Sequence, residues 1–197
     1  MVVLPLCCFP DRLWFARYRG ADSVVIDLGE HYVKQSYRNR FTLMGSHGPF
    51  VCTARVQGQK GQKMAMSDIA LVDDEWRRVA LRGLRSSYAR SPFWEHYAER
   101  IESIILHKHE RLVDLNRAAL DFLLDGMGMV EKHRFSDRYV EVDEGWMDFR
   151  MDAEPGCEEN HLPAYPQVFE DRHGFVGGLS ALDLLLNTGP EALNYLG

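Results

Sequence analysis

The stretch SVVIDLG, residues 23–29, is the clearest β-strand in the sequence and decides the fold class. It is β-branched and almost uninterrupted by polar residues, as strands are when both faces of their sheet are covered. Residues 2–6, VVLPL, predict an earlier short strand, and residues 11–20, DRLWFARYRG, predict a helix between the two strands. This order of strand, helix and strand predicts a parallel pair joined by a right-handed crossover.

The next segments predict a hairpin and one further strand. RFTLMG (40–45) and PFVCTARV (49–56) flank the turn-rich SHG, which predicts a β-hairpin added to the first sheet. QGQKGQK (57–63) is polar and rich in glycine, so we expect an exposed loop there. MSDIALV (66–72) then has the composition of a strand.

The second half of the chain predicts mainly helices. Apolar residues recur every three to four positions in residues 73–88, 94–105 and 112–123, and Pro92, Gly126 and Gly128 mark breaks. The remaining predictions are a strand at RYVEV (138–142), a loop at DAEPGCEEN (152–160), a helix at SALDLLLN (180–187) with a capping box, and a last helix from Pro190. We therefore expect an α/β fold in a single domain, 1–197: a mixed sheet with an N-terminal βαβ unit, an added hairpin and a helical second half.

Composition limits the classes of function. The 197 residues are 46% hydrophobic, enough for one core, and the formal net charge of -6 makes nucleic acid an unexpected partner because a polyanion favours a basic surface. No apolar run approaches the roughly 20 residues of a membrane span, and the short apolar start has no basic region before it, so we expect a cytoplasmic protein. The four cysteines and eight histidines lack the spacing of metal ligands, so we expect reduced thiols, no metal and no cofactor.

HYVKQSYRNR, residues 31–40, concentrates cationic hydrogen-bond donors in this acidic chain. It directly follows the strand SVVIDLG, and ligands of α/β sheets bind beyond the carboxyl ends of strands. The two arginines can each grip a carboxylate or phosphate, the lysine adds a mobile charge, and the histidine is a candidate general base. The predicted site for an anionic small-molecule or carrier-linked ligand includes His31, Lys34, Gln35, Tyr37, Arg38, Asn39 and Arg40. The alternative is a solvated sheet edge on which the cations prevent strand pairing.

Several motifs together resemble the WbqC-like protein family, in the form common in Bacteroidetes. They are CFPDRLWFARY, HYVKQSYRNR, SSYARSPFWEHYAER, YPQVFEDRHGF and LSALDLLLNTGPEALNYL, in this order. The resemblance implies a role among genes for O-antigen and other surface polysaccharides, and a transferase that attaches an acyl or aminoacyl group to an amino sugar. It also implies that Ser180, Asp183 and Asn187 of the last motif, with Gln167, line a common cleft with residues 34–40. Asp183 and His31 are then the candidate catalytic residues.

One departure from the family pattern weakens the enzyme hypothesis. Relatives carry a histidine four residues after the position of Trp76, where this chain has Ala80. A noncatalytic module that binds a nucleotide sugar, an acyl carrier or a partner enzyme is therefore the alternative function. Cys7 or Cys8 is a further candidate, as an acyl-accepting thiol, although cysteines in an apolar strand are usually small core residues. The sequence leaves donor, acceptor and oligomeric state open.

Overall fold

The computed structural model describes residues 1–58, 63–153 and 162–197. Its elements are β1 (Val2–Pro5), α1 (Arg12–Gly20), β2 (Val24–Asp27), β3 (Arg40–Gly45), β4 (Gly48–Thr53), α2 (Trp76–Tyr88), α3 (Trp94–Leu106), α4 (Leu112–Gly126), β5 (His133–Ser136), β6 (Met147–Asp148), α5 (Glu170–His173) and α6 (Ala181–Thr188). Short 3₁₀ helices cover Met66–Asp68, Arg150–Asp152 and Gly189–Tyr195.

The predicted βαβ unit forms the centre of a parallel sheet. Strands β1 and β2 pair in parallel from Val2 opposite Val24 to Pro5 opposite Asp27, and α1 connects them. Strand β5 adds to β2 and strand β6 adds to β1, so the order across the sheet is β5-β2-β1-β6. The mixed α/β class with a largely helical second half is thus confirmed.

The predicted hairpin forms, but it does not join the first sheet. Strands β3 and β4 pair with each other in a separate two-stranded antiparallel sheet. Both neighbours of the central pair are occupied, by β5 and β6, and the hairpin packs instead on α2. The contact is close, because a Cβ placed on Gly83 of α2 would lie 2.7 Å from the Phe50 ring of β4.

Two predicted strands are wrong, and two predicted loops are only partly described. Within MSDIALV, Met66–Asp68 is a 3₁₀ helix, because the backbone N–H groups of Met66 and Ser67 donate to carbonyls of the loop after β2. RYVEV is not a strand; Val140 donates its N–H to the carboxylate of Asp27, and β5 lies earlier in the chain. Residues 59–62 of the loop QGQKGQK and 154–160 of DAEPGCEEN lie outside the described residues.

The two faces of the parallel sheet are covered differently. Val2, Leu4, Val24 and Ile26 belong to the main core, which also contains buried residues of α1, α4 and α6. On the other face Val3 and Val25 pack with residues of the β5–β6 connection, namely Val140 and Trp146. Among the described residues, no helix combines the length and apolar character needed to cross a bilayer.

Candidate active-site crevice

The order of the parallel strands marks one position for a ligand. Strands β2 and β5 extend the sheet on one side of β1, whereas β6 extends it on the other side. The direction of winding therefore reverses between β1 and β6. In open α/β sheets, ligands bind at the carboxyl ends of the strands at such a reversal.

A small crevice lies at this reversal point. Its described lining comes from the end of β1 and the residues after it, from α1, from the segment after β6, and from Tyr37; the residues are Pro5, Cys7, Asp11, Trp14, Arg17, Tyr37, Phe149, Asp152 and Ala153. Its free volume is about 10 Å³, roughly the space that one water molecule needs. Ligand pockets typically measure about 300–1,000 Å³. A substrate can therefore enter the crevice only if its mouth opens.

The start of α1 forms one wall of the crevice. Asp11 is the N-cap, and its Oδ1 accepts a hydrogen bond of 2.9 Å from the backbone N–H of Trp14. The indole N–H of Trp14 in turn donates to the carbonyl of Pro5 at 2.9 Å, which ties the helix to the end of β1. The cap follows from the sequence, because aspartate is among the best residues for accepting from the free N–H groups at a helix start.

An ion pair stands at the mouth of the crevice. Arg17 lies 2.6 Å from Asp152, and the two side chains are 20% and 36% exposed. The Arg17 guanidinium also stacks 4.2 Å from the centroid of the Phe149 ring. Exposed pairs of this kind contribute about 0–1 kcal/mol. Such a pair can open without a large cost in stability.

The neighbouring carboxyl end of β2 is filled by protein groups. Oδ1 of Asp27 accepts from the N–H groups of Gly29 and Glu30, and Oδ2 accepts from the N–H of Val140 and, at 2.6 Å, from Arg150. Asp27 is fully buried. Its carboxylate is therefore a structural anchor for the loops that follow β2 and β5.

Arg38, the centre of the predicted anion site, belongs to the same buried network. Its Nε and Nη2 donate to the two carboxylate oxygens of Glu30 at 2.8 and 2.6 Å, and Nη2 also donates to the carbonyl of Arg150 at 2.9 Å. The side chain is only 2% exposed. Burial raises the pKa of Glu30, and the hydrogen bonds from Arg38 oppose that shift. The anion that Arg38 binds in the structure is thus the carboxylate of Glu30, within the protein itself.

The other residues of HYVKQSYRNR have different environments. His31, Lys34 and Gln35 are exposed; Asn39 is buried and donates to the carbonyl of Ala54 at 3.0 Å. Arg40 begins β3 opposite Thr53, and its buried Nε has no hydrogen-bond partner among the described residues. Of the predicted set, Tyr37 lines the crevice. Roles for the others in ligand binding stay predictions.

The C-terminal residues of the predicted cleft surround a buried carboxylate. Asp183 accepts from the hydroxyls of Tyr88 and Tyr165 at 2.7 and 2.6 Å, and from the Gln167 amide at 3.4 Å. Burial raises the pKa of Asp183 to about 6, against the lowering effect of these donors. Asn187 donates to the Asp183 carbonyl at 2.7 Å.

Ser180 caps α6, but the predicted capping box is not closed. The Ser180 hydroxyl accepts from the N–H of Leu182 and donates to the Phe9 carbonyl at 2.8 Å. The Ser180 N–H donates to Thr42, while the Asp183 side chain turns to the tyrosines. Asp183 thus joins α6 to α2 instead of completing the cap.

The two halves of the predicted cleft have separate hydrogen-bond partners. Arg38 bonds to Glu30 and the Arg150 carbonyl, whereas Asp183 bonds to two tyrosines and a glutamine. A link between the two segments is the bond of 3.4 Å from the Tyr37 hydroxyl to the Gly178 carbonyl.

Three charged residues of the crevice were missed by the sequence analysis: Asp11, Arg17 and Asp152. The signal for Asp11 was present, since it directly follows Pro10 at the start of the predicted helix. Arg17 and Asp152 meet only through the pairing of β1 with β6, which the sequence did not predict.

The predicted thiol nucleophile has an unfavourable environment. Cys7 and Cys8 are buried, and burial raises the pKa of both thiols well above its usual range. Cys7 lines the crevice but is held in its protonated form at neutral pH. The residues described also contain no group of three or more histidine, cysteine, aspartate or glutamate side chains placed to hold a metal ion.

Comparison with known proteins gives one match. The model of the WbqC-like protein family matches residues 7–154. This range holds most of the crevice lining and the HYVKQSYRNR segment, and it ends before Asp183 and the two C-terminal motifs. Neither the curated proteins nor the solved structures gave a match.

Proposed function

This chain belongs to the WbqC-like protein family, and we propose that it is an acyl- or aminoacyl-transferase acting on an amino-sugar precursor of an O-antigen-type surface polysaccharide. The observation that supports the proposal most directly is the crevice at the reversal of the parallel sheet. Carboxylates and a guanidinium meet there, and such groups can accept a proton from an amine and stabilise a developing negative charge.

The proposed chemistry assigns a role to each charged group at the mouth. Opening of the Arg17–Asp152 pair exposes a carboxylate that holds the amine and takes its proton, and a guanidinium that stabilises the negative charge developing on the acyl oxygen. The amine nitrogen forms a bond to the acyl carbon while the bond from that carbon to the donor oxygen or sulfur breaks. The proton passes from Asp152 to the leaving group, so the carboxylate is restored.

The residues that were predicted from the sequence have supporting roles in this proposal. Tyr37 contacts both the crevice and the C-terminal segment, through its bond to the Gly178 carbonyl. Gln167, Ser180, Asp183 and Asn187 stabilise that segment through their hydrogen bonds. Lys34 and His31, both exposed, are proposed contacts for the anionic part of a substrate.

A transfer assay tests the proposal. The chain is incubated with an acyl thioester or an aminoacyl donor and a nucleotide-linked amino sugar, and the product is followed by mass spectrometry. Asp152→Asn and Arg17→Gln should each lower the rate by on the order of 100-fold. The control is Arg138→Gln, an exposed arginine on the loop after β5. Equal rates in all four proteins would refute the assignment.

A noncatalytic binding module is the second candidate. Ala80, which replaces the family histidine, is 1% exposed inside α2, so that position offers no proton carrier. This function predicts that the nucleotide sugar raises the Tm, that Arg17→Gln abolishes the shift, and that no donor gives a product.

A further inference from the structure

Helix α2 presents a row of arginines next to a groove. Arg78, Arg82 and Arg85 are exposed and follow each other at helical spacing, so they lie on one face. With Leu81, Ser86 and Leu106 they line a groove beside α3, with a volume of about 630 Å³. The row extends over about 10 Å, because an α-helix rises about 1.5 Å per residue.

Two of the three arginines of this groove are not paired with an acidic side chain of the described residues. Arg85 is held by Glu102, which accepts two hydrogen bonds of 2.7 Å from it. Arg78 and Arg82 make no hydrogen bond or ion pair to a described residue, and the sequence of α2 contains no acidic residue. In a chain of net charge -6 this is a local reversal of sign. Such a patch steers an anionic partner to one place.

The apolar part of the groove favours a protein partner over a nucleic acid. Leu106 is 51% exposed at its edge, and an apolar side chain of a partner can cover it. A nucleic acid duplex turns its phosphates outward and has no apolar side chain to cover Leu106. A second copy in a two-fold dimer would bring the arginine rows together, which like-charge repulsion opposes.

We propose that the groove of Arg78, Arg82 and Arg85 docks an acidic amphipathic helix of the carrier protein that delivers the acyl donor. Carboxylates spaced by one helical turn on that helix pair with Arg78 and Arg82, and one apolar side chain covers Leu106. The identity of the partner as a donor carrier rests on the proposed transferase function; the docking of an acidic helix does not.

A direct binding experiment tests the docking. The full chain is titrated into a fluorescent amphipathic peptide with glutamates at Arg78-to-Arg85 spacing and leucines beside them, and into a matched peptide with glutamine for glutamate. Fluorescence polarisation is read at low and at raised salt. We expect binding of the glutamate peptide only, weakened by salt, and weakened on the order of tenfold in the Arg78→Gln/Arg82→Gln variant.

The control carries the same change of charge on another surface. Arg134→Gln/Arg138→Gln removes two exposed arginines from β5 and the loop after it, and it should bind the peptide as the unchanged protein does. Equal weakening in both variants overturns the proposal. So does tighter, groove-dependent binding of a single-stranded RNA, or self-association in sedimentation that is lost in the Arg78→Gln/Arg82→Gln variant.

A transfer experiment separates this proposal from the proposed function. With a carrier-linked donor, KM should rise in Arg78→Gln/Arg82→Gln and kcat should not change. With a small soluble thioester, both KM and kcat should equal those of the unchanged protein. Absence of transfer from every donor refutes the enzyme, and the peptide titration still decides the docking. A rise in KM for the small donor refutes the docking.

Discussion

Replacement of Arg38 by alanine should destabilise the fold strongly. The guanidinium is 2% exposed and forms two hydrogen bonds to Glu30, whose own side chain is 5% exposed, and a third to a backbone carbonyl. Removal of one partner of a buried ion pair costs about 3–5 kcal/mol because the other charge stays buried without compensation. For a chain of this size that corresponds to a fall in Tm of about 6–20 °C.

The loss in Arg38→Ala should depend on pH. Without Arg38, the buried Glu30 avoids the cost of its charge by keeping a proton, so its folded-state pKa rises further. A carboxyl with a raised folded-state pKa stabilises the fold at low pH, and this contribution is lost as the pH rises through that pKa. The deficit relative to the unchanged protein should therefore grow once the pH exceeds the raised folded-state pKa that Glu30 has in that protein, by at most about 1.4 kcal/mol per pH unit.

Urea unfolding at acidic and at mildly alkaline pH measures this effect. Arg138→Ala is the matched control, an exposed arginine for which we expect a change within about 0.5 kcal/mol. The Glu30→Gln/Arg38→Gln double variant should recover part of the stability and lose the pH dependence. A pH-independent loss below about 1 kcal/mol in Arg38→Ala would refute the reasoning, since a buried, uncompensated charge costs more.

Further expectations concern a buried acid, a close backbone contact and the thiols. Because burial raises the pKa of Asp183 to about 6, the unchanged protein should lose about 3 kcal/mol of stability between about pH 4 and pH 6, and Asp183→Asn should not show this loss in urea unfolding. The same pH dependence in both proteins would contradict the burial effect. Gly29→Ala should lower the free energy of unfolding by at least about 3 kcal/mol, because its Cβ would lie 2.1 Å from a backbone nitrogen. Gly20→Ala is the control: its Cβ would meet open space, so it should be neutral or stabilising, and equal Tm values for the two variants would contradict this. Cys7 and Cys8 should resist iodoacetamide in the native protein and react after unfolding, as peptide mass spectrometry would show; rapid native labelling would contradict their burial.

The parallel core was predictable because its physical signal is local. Val24–Asp27 is an unbroken apolar run ending in one acid, and a strand buried on both faces requires that pattern. The position of the hairpin was not predictable, because the edges of β1 and β2 are occupied by strands from more than a hundred residues away. A pattern within one segment indicates a strand, but it does not name the partner of that strand.

The same limit explains the prediction for the basic segment. HYVKQSYRNR does follow the carboxyl end of β2, and Tyr37 does reach the crevice. The partner of Arg38 in the chain, Glu30, lies just before the segment, but its burial depends on Arg150 and the β5–β6 connection. A count of charges along the sequence cannot show which of them become internal.

Two ion pairs beyond the strand ends have different roles: one is structural, and the other belongs to the proposed site. Arg38–Glu30 and Arg17–Asp152 have the same chemistry and the same shortest distance, 2.6 Å, but the first is buried and the second is partly exposed. The buried pair fills the end of β2, whereas the proposed site lies in the gap between β1 and β6. A substitution at Arg17 should therefore change ligand binding at a cost of about 1 kcal/mol or less, whereas one at Arg38 should change stability first. Since a destabilised protein also loses ligand binding, a loss of binding locates the site only where stability is retained, and Arg17 is the position that meets this condition.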